Sequence, residues 1–104
     1  MTEIDMDGNL FPFVQRFTLG DANTANQINL PPEARTATVR FIDNDGKLAF
    51  QTDSDNIFAH HIECAADTNN EFSLGDGIGA AHGIGKFYVA SSIASTVCVV
   101  MVEG

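Results

Sequence analysis

At 104 residues, the chain has the length of about one domain with a single modest core. Its formal net charge of −9 argues against binding nucleic acid through the phosphates, which requires several Lys or Arg, and against an anionic membrane surface. The apolar fraction of 44% is typical of a folded globular protein. Abundant Asn, Asp, Gly, Ser and Thr favour turns over helices.

Neither a targeting signal nor a membrane span is predicted. Residues 1–7 are acidic where a secretory signal is basic and then apolar. The longest apolar run, residues 97–102, is far too short to cross a bilayer.

Two cysteines, Cys64 and Cys98, are too few for a disulfide scaffold. We expect both to be buried free thiols in a protein made in a reducing cytoplasm.

The N-terminal third predicts a loose start followed by two extended segments. Residues 1–10 are acidic, with a Gly and an Asn, and predict a flexible arm. The β-rich stretch 11–19 has its proline near the start, where a strand tolerates one. A turn over residues 20–26 and a short extended piece over 27–30 follow, and a proline pair then excludes helix.

The clearest strand covers residues 36–42, where apolar and polar residues alternate strictly. The turn Asp43–Gly46 predicts a hairpin, because Asn and Gly accept the positive φ of tight turns, and residues 48–52 are the expected partner strand. In the strand over residues 36–42, the face that carries Ala37, Val39 and Phe41 is expected to face the core.

The second half predicts further strands over residues 57–64, 72–74, 86–90 and 96–103. The last of these is nearly all apolar, which is typical of a central strand buried on both faces. About seven or eight short strands with frequent turn signals indicate an all-β fold. We predict a single antiparallel β-sandwich, jelly-roll-like, over residues 11–104.

The glycine-rich segment Gly75–Gly85 superficially resembles a phosphate-binding loop. Such loops follow a strand and open a helix, whereas this one precedes the strand that begins at Lys86. It lacks a Gly-Lys-Ser/Thr sequence as well. A surface loop, or one that becomes ordered on contact with a neighbour, is the expectation.

Two groups of residues could hold a metal, and neither is complete. The Asp43 turn lacks the glycine and glutamate spacing of an EF-hand, although a weaker oxygen-ligand site with Asp53 or Asp55 stays open. His61 and Glu63 share a strand face, but two ligands are too few, and His82 would have to come from the glycine-rich loop. We expect no metal and no cofactor.

Catalytic motifs are missing from the sequence. It has no nucleophile elbow and no cysteine-protease-like motif, and its paired carboxylates lie in turns. We therefore expect that the protein is not an enzyme. The absence of Trp also leaves few candidates for an aromatic platform that stacks sugars or bases.

Four segments carry a resemblance to a known class of proteins, from about residue 27 onward. They are Leu30–Arg35 before the clearest strand, Asn44–Phe50, Phe72–Gly77, and Phe87–Ser92 before the last strand. This pattern resembles the small β-sandwich proteins of tailed bacteriophages that decorate or cement capsids, or form head fibres and spikes.

The resemblance implies a homo-oligomer, often a trimer, that sits over junctions between capsid subunits in the virion. It implies binding to capsid or other virion proteins, without nucleic acid or membrane. A receptor- or glycan-binding module of a phage fibre or spike is the alternative. The expected contact residues lie in the N-terminal arm and the glycine-rich loop: Asp5, Asp7, Asn9, Gly77, Gly79, His82 and Gly83.

Overall fold

Strands and turns make up the part of the chain that a computed structural model describes, which is residues 2–6, 12–31, 33–50, 61–74 and 85–104. None of these residues forms a helix long and apolar enough to cross a membrane. The strands, in chain order, are β1 (Thr2–Asp5), β2 (Phe13–Thr18), β3 (Asn26–Asn29), β4 (Thr36–Ile42), β5 (Gly46–Ala49), β6 (Ile62–Cys64), β7 (Asn70–Ser73), β8 (Lys86–Ala90) and β9 (Val97–Glu103).

The strands form two sheets. Sheet A has five strands in the order β1-β3-β8-β5-β6, and sheet B has four in the order β2-β9-β4-β7. All neighbouring strands are antiparallel except β1 and β3, which run parallel. The all-β prediction is confirmed. The radius of gyration, 12.6 Å, is close to the roughly 13 Å of a compact domain of this size.

One hydrophobic core lies between the two sheets, because each strand turns alternate residues toward it. In β4 and β9 every second residue is buried, and the facing strands of sheet A supply the opposing side chains. Each fully buried large side chain contributes roughly 1.5–3 kcal/mol. The main members are Ile28, Leu48, Cys64, Phe87 and Val89 from sheet A, with Ala37, Val39, Phe41, Cys98, Val100 and Val102 from sheet B.

Strand β4 has the predicted bounds and the predicted inward face, so strict alternation located it correctly. Strand β9 is central in sheet B, as predicted, but the prediction that both its faces are buried is wrong. Its outward residues are only half-buried, since no further layer of described residues covers sheet B on that side. Apart from β1, which was not predicted as a strand, the remaining strands lie within a few residues of their predicted positions or overlap residues outside the described ranges.

The predicted hairpin between β4 and β5 is also wrong. Strand β4 pairs with β9 and β7 in sheet B, whereas β5 pairs with β6 and β8 in sheet A. The segment 43–45, which is largely exposed, therefore carries the chain from one sheet to the other around the end of the core. Asp43 does have the positive φ expected of the turn, 66°.

The reason for this crossing lies in the contact between Gly46 and Phe41. Phe41 is fully buried, and a Cβ added to Gly46 would overlap its ring. Glycine thus lets the first residue of β5 lie directly against the last buried ring of β4. Because β4 and β5 pack face to face, rather than edge to edge in one ladder, they lie in opposite sheets.

The predicted flexible arm is wrong for residues 2–6. Thr2–Asp5 form β1, which pairs in parallel with β3, and the Met6 amide donates to the Asn29 carbonyl over 2.8 Å. Met6 is buried and Ile4 packs against the core, so two alternating apolar side chains dock an otherwise acidic segment. The rest of the predicted arm, residue 1 and residues 7–10, lies outside the described ranges.

Candidate binding surfaces

Of the residues expected to contact a partner, Asp5 lies in the described part of the chain. It is exposed at the end of β1, on the outward face of sheet A. The other six lie outside the described residues: Asp7, Asn9, Gly77, Gly79, His82 and Gly83.

Asp5 belongs to a network of carboxylates and amides that joins β1 to β3. The Asn29 side-chain amide donates to Asp5 Oδ1 over 2.7 Å, and the Gln27 amide donates to Glu3 Oε1 over 3.1 Å. Gln27 also donates to Asn29 Oδ1 over 2.8 Å. Each carboxylate faces an amide directly across the strand pair, so the network stabilises β1 in its register. We name Glu3, Asp5, Gln27 and Asn29 the amide-carboxylate network.

The outward face of sheet B has a different chemistry. Arg16 on β2, Val99 on β9 and Arg40 on β4 stand side by side across three strands. In the next row Val14 is opposite Met101, and the row ends at the exposed Glu71 on β7. Val14 is 60% exposed. Arg40 donates to Asn69 Oδ1 over 3.3 Å. This set, which we call the arginine face, places two of the five Lys and Arg of an acidic chain around apolar side chains.

Such a face is suited to contact with another protein. Apolar side chains combined with Arg are typical of interface residues, whereas surfaces that only face water are richer in Lys and Glu. This face was not predicted from the sequence. The signal was present in residues 13–18, where Val14 and Arg16 alternate with inward positions, but the partner strands that complete the face could not be identified from it.

The prediction that His61 and Glu63 share a face is confirmed. His61 Nε2 lies 2.7 Å from Glu63 Oε1. Glu63 belongs to the edge strand β6, and His61 directly precedes that strand. His82, the third ligand considered, lies outside the described residues. Within the described ranges, no group of three His, Cys, Asp or Glu side chains is arranged to hold a metal ion. The pair as it stands is an exposed surface contact.

The Asp43 turn is held by hydrogen bonds between backbone amides and two aspartate carboxylates, Asp45 in the turn and Asp67 outside it. The Asp43 amide donates to Asp67 Oδ1 over 3.2 Å, and the Ala66 amide donates to Asp45 Oδ1 over 2.8 Å. These two bonds tie the connection between the sheets to the turn that precedes β7. Asp53 and Asp55, which the sequence analysis considered as further oxygen ligands, lie outside the described residues.

Buried hydroxyls close the same end of the molecule. Ser91 Oγ donates to the Asp45 carbonyl over 2.8 Å, and Thr96 Oγ1 donates to the Ile93 carbonyl over 2.8 Å. The Asn44 amide donates to Thr96 Oγ1 over 3.3 Å. Both hydroxyl protons are directed at backbone carbonyls, so these side chains hold turns together. This network was not predicted from the sequence, because its members come from separate turns.

Both cysteines are free and buried, as predicted. Burial, with a smaller contribution from the nearby Cys64, raises the pKa of the Cys98 thiol to about 12. Burial also raises the pKa of Cys64, with a smaller contribution from the charge of Glu63. Both thiols therefore stay protonated at neutral pH, which makes them poor nucleophiles and poor metal ligands.

Comparison with known proteins gives no relative from which a role for these surfaces could be transferred. No protein-family model matches the sequence, and neither a curated protein nor a solved structure matches it.

Proposed function

We propose that this chain is a non-enzymatic structural protein of a virus particle, a decoration or cement protein that binds the outer capsid surface and stabilises the head. The proposal rests on the sequence resemblance to the small β-sandwich proteins of tailed phages, and the strand pairing is the structural observation that agrees with it. Together with it we propose a finer fold, in which the two sheets form a jelly-roll β-sandwich. Jelly rolls are eight-stranded folds of two Greek keys that recur in viral capsid and lectin domains.

The pairing of the strands from β2 to β9 supports the jelly roll. The first of these eight strands pairs with the last, β2 with β9, and the second with the second last, β3 with β8. The third strand pairs with the third last, β4 with β7, and the two middle strands, β5 and β6, pair with each other. All four pairs are antiparallel, as in a long two-stranded ribbon rolled into two sheets. Strand β1 adds to this arrangement beside β3.

A fold does not by itself imply a function, so the step to the capsid depends on the sequence resemblance to phage decoration proteins. The surfaces agree with such a role. Binding to a symmetric shell requires shape and many weak contacts multiplied by avidity, rather than a deep pocket. Capsid or other virion proteins are the proposed partners, with a homo-oligomer, a trimer by the resemblance, on the virion surface. A net charge of −9 would also help particles to remain dispersed.

The alternative of a glycan-binding module has less support. Carbohydrate sites use exposed Tyr and Trp rings, whose apolar faces stack on sugars. The sequence has no Trp, and its single Tyr, Tyr88, is 7% exposed. Phe50, 40% exposed, is the one large aromatic among the exposed hydrophobic residues of the described ranges. A single half-exposed Phe is a weak platform for a sugar.

Mass spectrometry of virus particles from the source culture, purified on a density gradient, tests the proposal. Hundreds of copies per particle, with a gradient profile that follows the major capsid protein, would support decoration or cement. A handful of copies would instead place the chain in a fibre or tail. Absence from every particle fraction, with the chain detected in the cell lysate of the same culture, would overturn the viral proposal. Abundant host proteins measured in the same fractions give the background from contamination.

A further inference from the structure

Strand β2 differs from the other sheet edges in charge and in length. The edges are β1 and β6 in sheet A, and β2 and β7 in sheet B. Edge strands expose unpaired backbone groups, and proteins commonly protect them with charged side chains and short lengths. Among the described strands, the other three edges have three or four residues and carry exposed carboxylates, which are Glu3 and Asp5, Glu63, and Glu71.

The sequence of β2, Phe13–Thr18, contains no carboxylate and one cation, Arg16. It is six residues long and has no proline within it. In a chain with a net charge of −9, carboxylates on an edge repel a second copy, and this repulsion is weakest at β2. Among the described edges, strand β2 is therefore the one at which a second copy meets the least electrostatic repulsion.

We propose that β2 pairs antiparallel with β2 of a second copy, across a two-fold axis, and joins the two four-stranded sheets into one continuous sheet. Antiparallel pairing of a strand with itself is isologous, so it closes after two subunits. The inference goes beyond the proposed capsid role and does not depend on it, because the dimer would form in solution without a particle. It puts a two-fold dimer in place of the trimer that the resemblance implies.

The residues of β2 select one register for this pairing. Residues directly opposite each other share a face of the sheet, so a two-fold axis that keeps both cores on one side must pass through a residue pair. An axis at Arg16 would oppose two guanidinium groups. An axis at Val14 would place Pro12, which lacks an N–H donor, opposite Arg16 within the second copy's strand. An axis at Gln15 separates the two guanidinium groups and moves Pro12 to the last pair, opposite Thr18.

With the axis at Gln15, favourable side chains meet on both faces. Val14 is opposite Arg16 of the partner subunit, and the reverse contact occurs on the other side of the axis. The aliphatic stem of each Arg can then cover Val14, which is 60% exposed in the single chain. The two Gln15 amides meet at the axis, where each can donate to the oxygen of the other. Val14 also continues the apolar row of Met101 into the second copy.

A pair of substitutions at Val14 tests the register as well as the dimer. Val14→Lys places a cation opposite Arg16 of the partner subunit twice per dimer, so we expect the dimer Kd to rise at least about tenfold. Val14→Glu places an anion there, and we expect the Kd to stay unchanged or fall. General repulsion between acidic copies predicts the reverse order, since Lys lowers the net negative charge and Glu raises it.

The measurement is sedimentation equilibrium of the full chain over a range of concentrations. Ile62→Lys, on the edge strand β6, is the matched control, because Ile62 is 56% exposed and lies away from the proposed axis; its Kd should equal that of the wild type. Equal circular dichroism spectra and urea midpoints, measured well below the dimer Kd, establish that all variants are folded.

Three results would overturn the proposal. The first is a chain that stays monomeric at roughly 100 µM, a weak-affinity limit for a specific interface. The other two are a dimer Kd that Val14→Lys leaves unchanged, and a weakening of the dimer by Ile62→Lys that equals the weakening by Val14→Lys. Its failure is separate from that of the capsid role. A solution monomer present at hundreds of copies on particles would refute the dimer alone, and a dimer absent from particles would refute the capsid role alone.

Discussion

The contact between Gly46 and Phe41 gives the sharpest test of how the chain crosses between its sheets. Substitution of Gly46 by Ala adds a methyl group that would overlap Cγ, Cδ1 and Cε1 of the Phe41 ring. The ring is fully buried, and its neighbour in the register, Cys98, is fully buried too. Either the ring leaves its rotamer or β5 moves away from its partners in sheet A.

Both ways of relieving the overlap are costly. An off-rotamer ring costs of order 0.5–1.5 kcal/mol, and overpacking of a close-packed core costs typically 1–3 kcal/mol. We expect Gly46→Ala to lower the free energy of unfolding by about 3 kcal/mol. For a domain of this length, that change lowers the Tm by roughly 10–20 °C.

Urea denaturation followed by far-UV circular dichroism measures the change by linear extrapolation. Gly20→Ala is the matched control: the nearest atom to its added Cβ is Asn26 Oδ1, at 4.0 Å, and the substitution should be neutral or stabilise by about 0.4–1 kcal/mol. In a Phe41→Leu background, where the ring is removed, Gly46→Ala should cost less than about 1 kcal/mol. An equal cost of Gly46→Ala in both backgrounds, or a cost below about 0.5 kcal/mol in the wild type, would refute the reasoning.

Three further outcomes follow from the packing and from the thiols. Met6→Ala should detach β1 while the rest of the fold persists, seen as lost amide hydrogen-exchange protection confined to that strand, whereas Glu3→Gln should leave the protection in place. Phe87→Ala should cost about 3–5 kcal/mol by urea denaturation, against less than about 0.5 kcal/mol for the exposed Val14→Ala; equal costs would contradict the assigned core. Burial raises the pKa of the Cys98 thiol from 9.0 to about 12. The contribution of the protonated thiol to the free energy of unfolding is therefore complete below pH 9 and is lost as the pH rises toward 12, because the unfolded chain releases the thiol proton first. The wild type should therefore lose stability more steeply than Cys98→Ala in this window, by about 1 kcal/mol per pH unit, and parallel pH profiles would disprove the assignment.

Local patterns in the sequence determined the class of the fold and several of its strands. Residues 36–42 alternate apolar and polar side chains without a break, and β4 has those bounds and that inward face. Residues 86–90 likewise coincide with β8. Both cysteines lie in apolar surroundings of strand-like sequence, and both are buried thiols. Alternation with a period of two is a property of neighbouring residues, so it can be seen without knowledge of the partner strands.

Which strands pair, and in which sheet, was decided by the tertiary structure. The turn after β4 has hairpin residues, yet the chain crosses to the other sheet, because Gly46 packs on the Phe41 ring rather than beside β4 in the ladder. The acidic sequence of the N-terminus predicted a flexible arm, yet Ile4 and Met6 dock residues 2–5 beside β3, which lies more than twenty residues further along the chain. The arginine face likewise needs β2, β9 and β4 side by side. Each of these features depends on contacts between residues distant in sequence, and the energy of such contacts appears only when the core has formed.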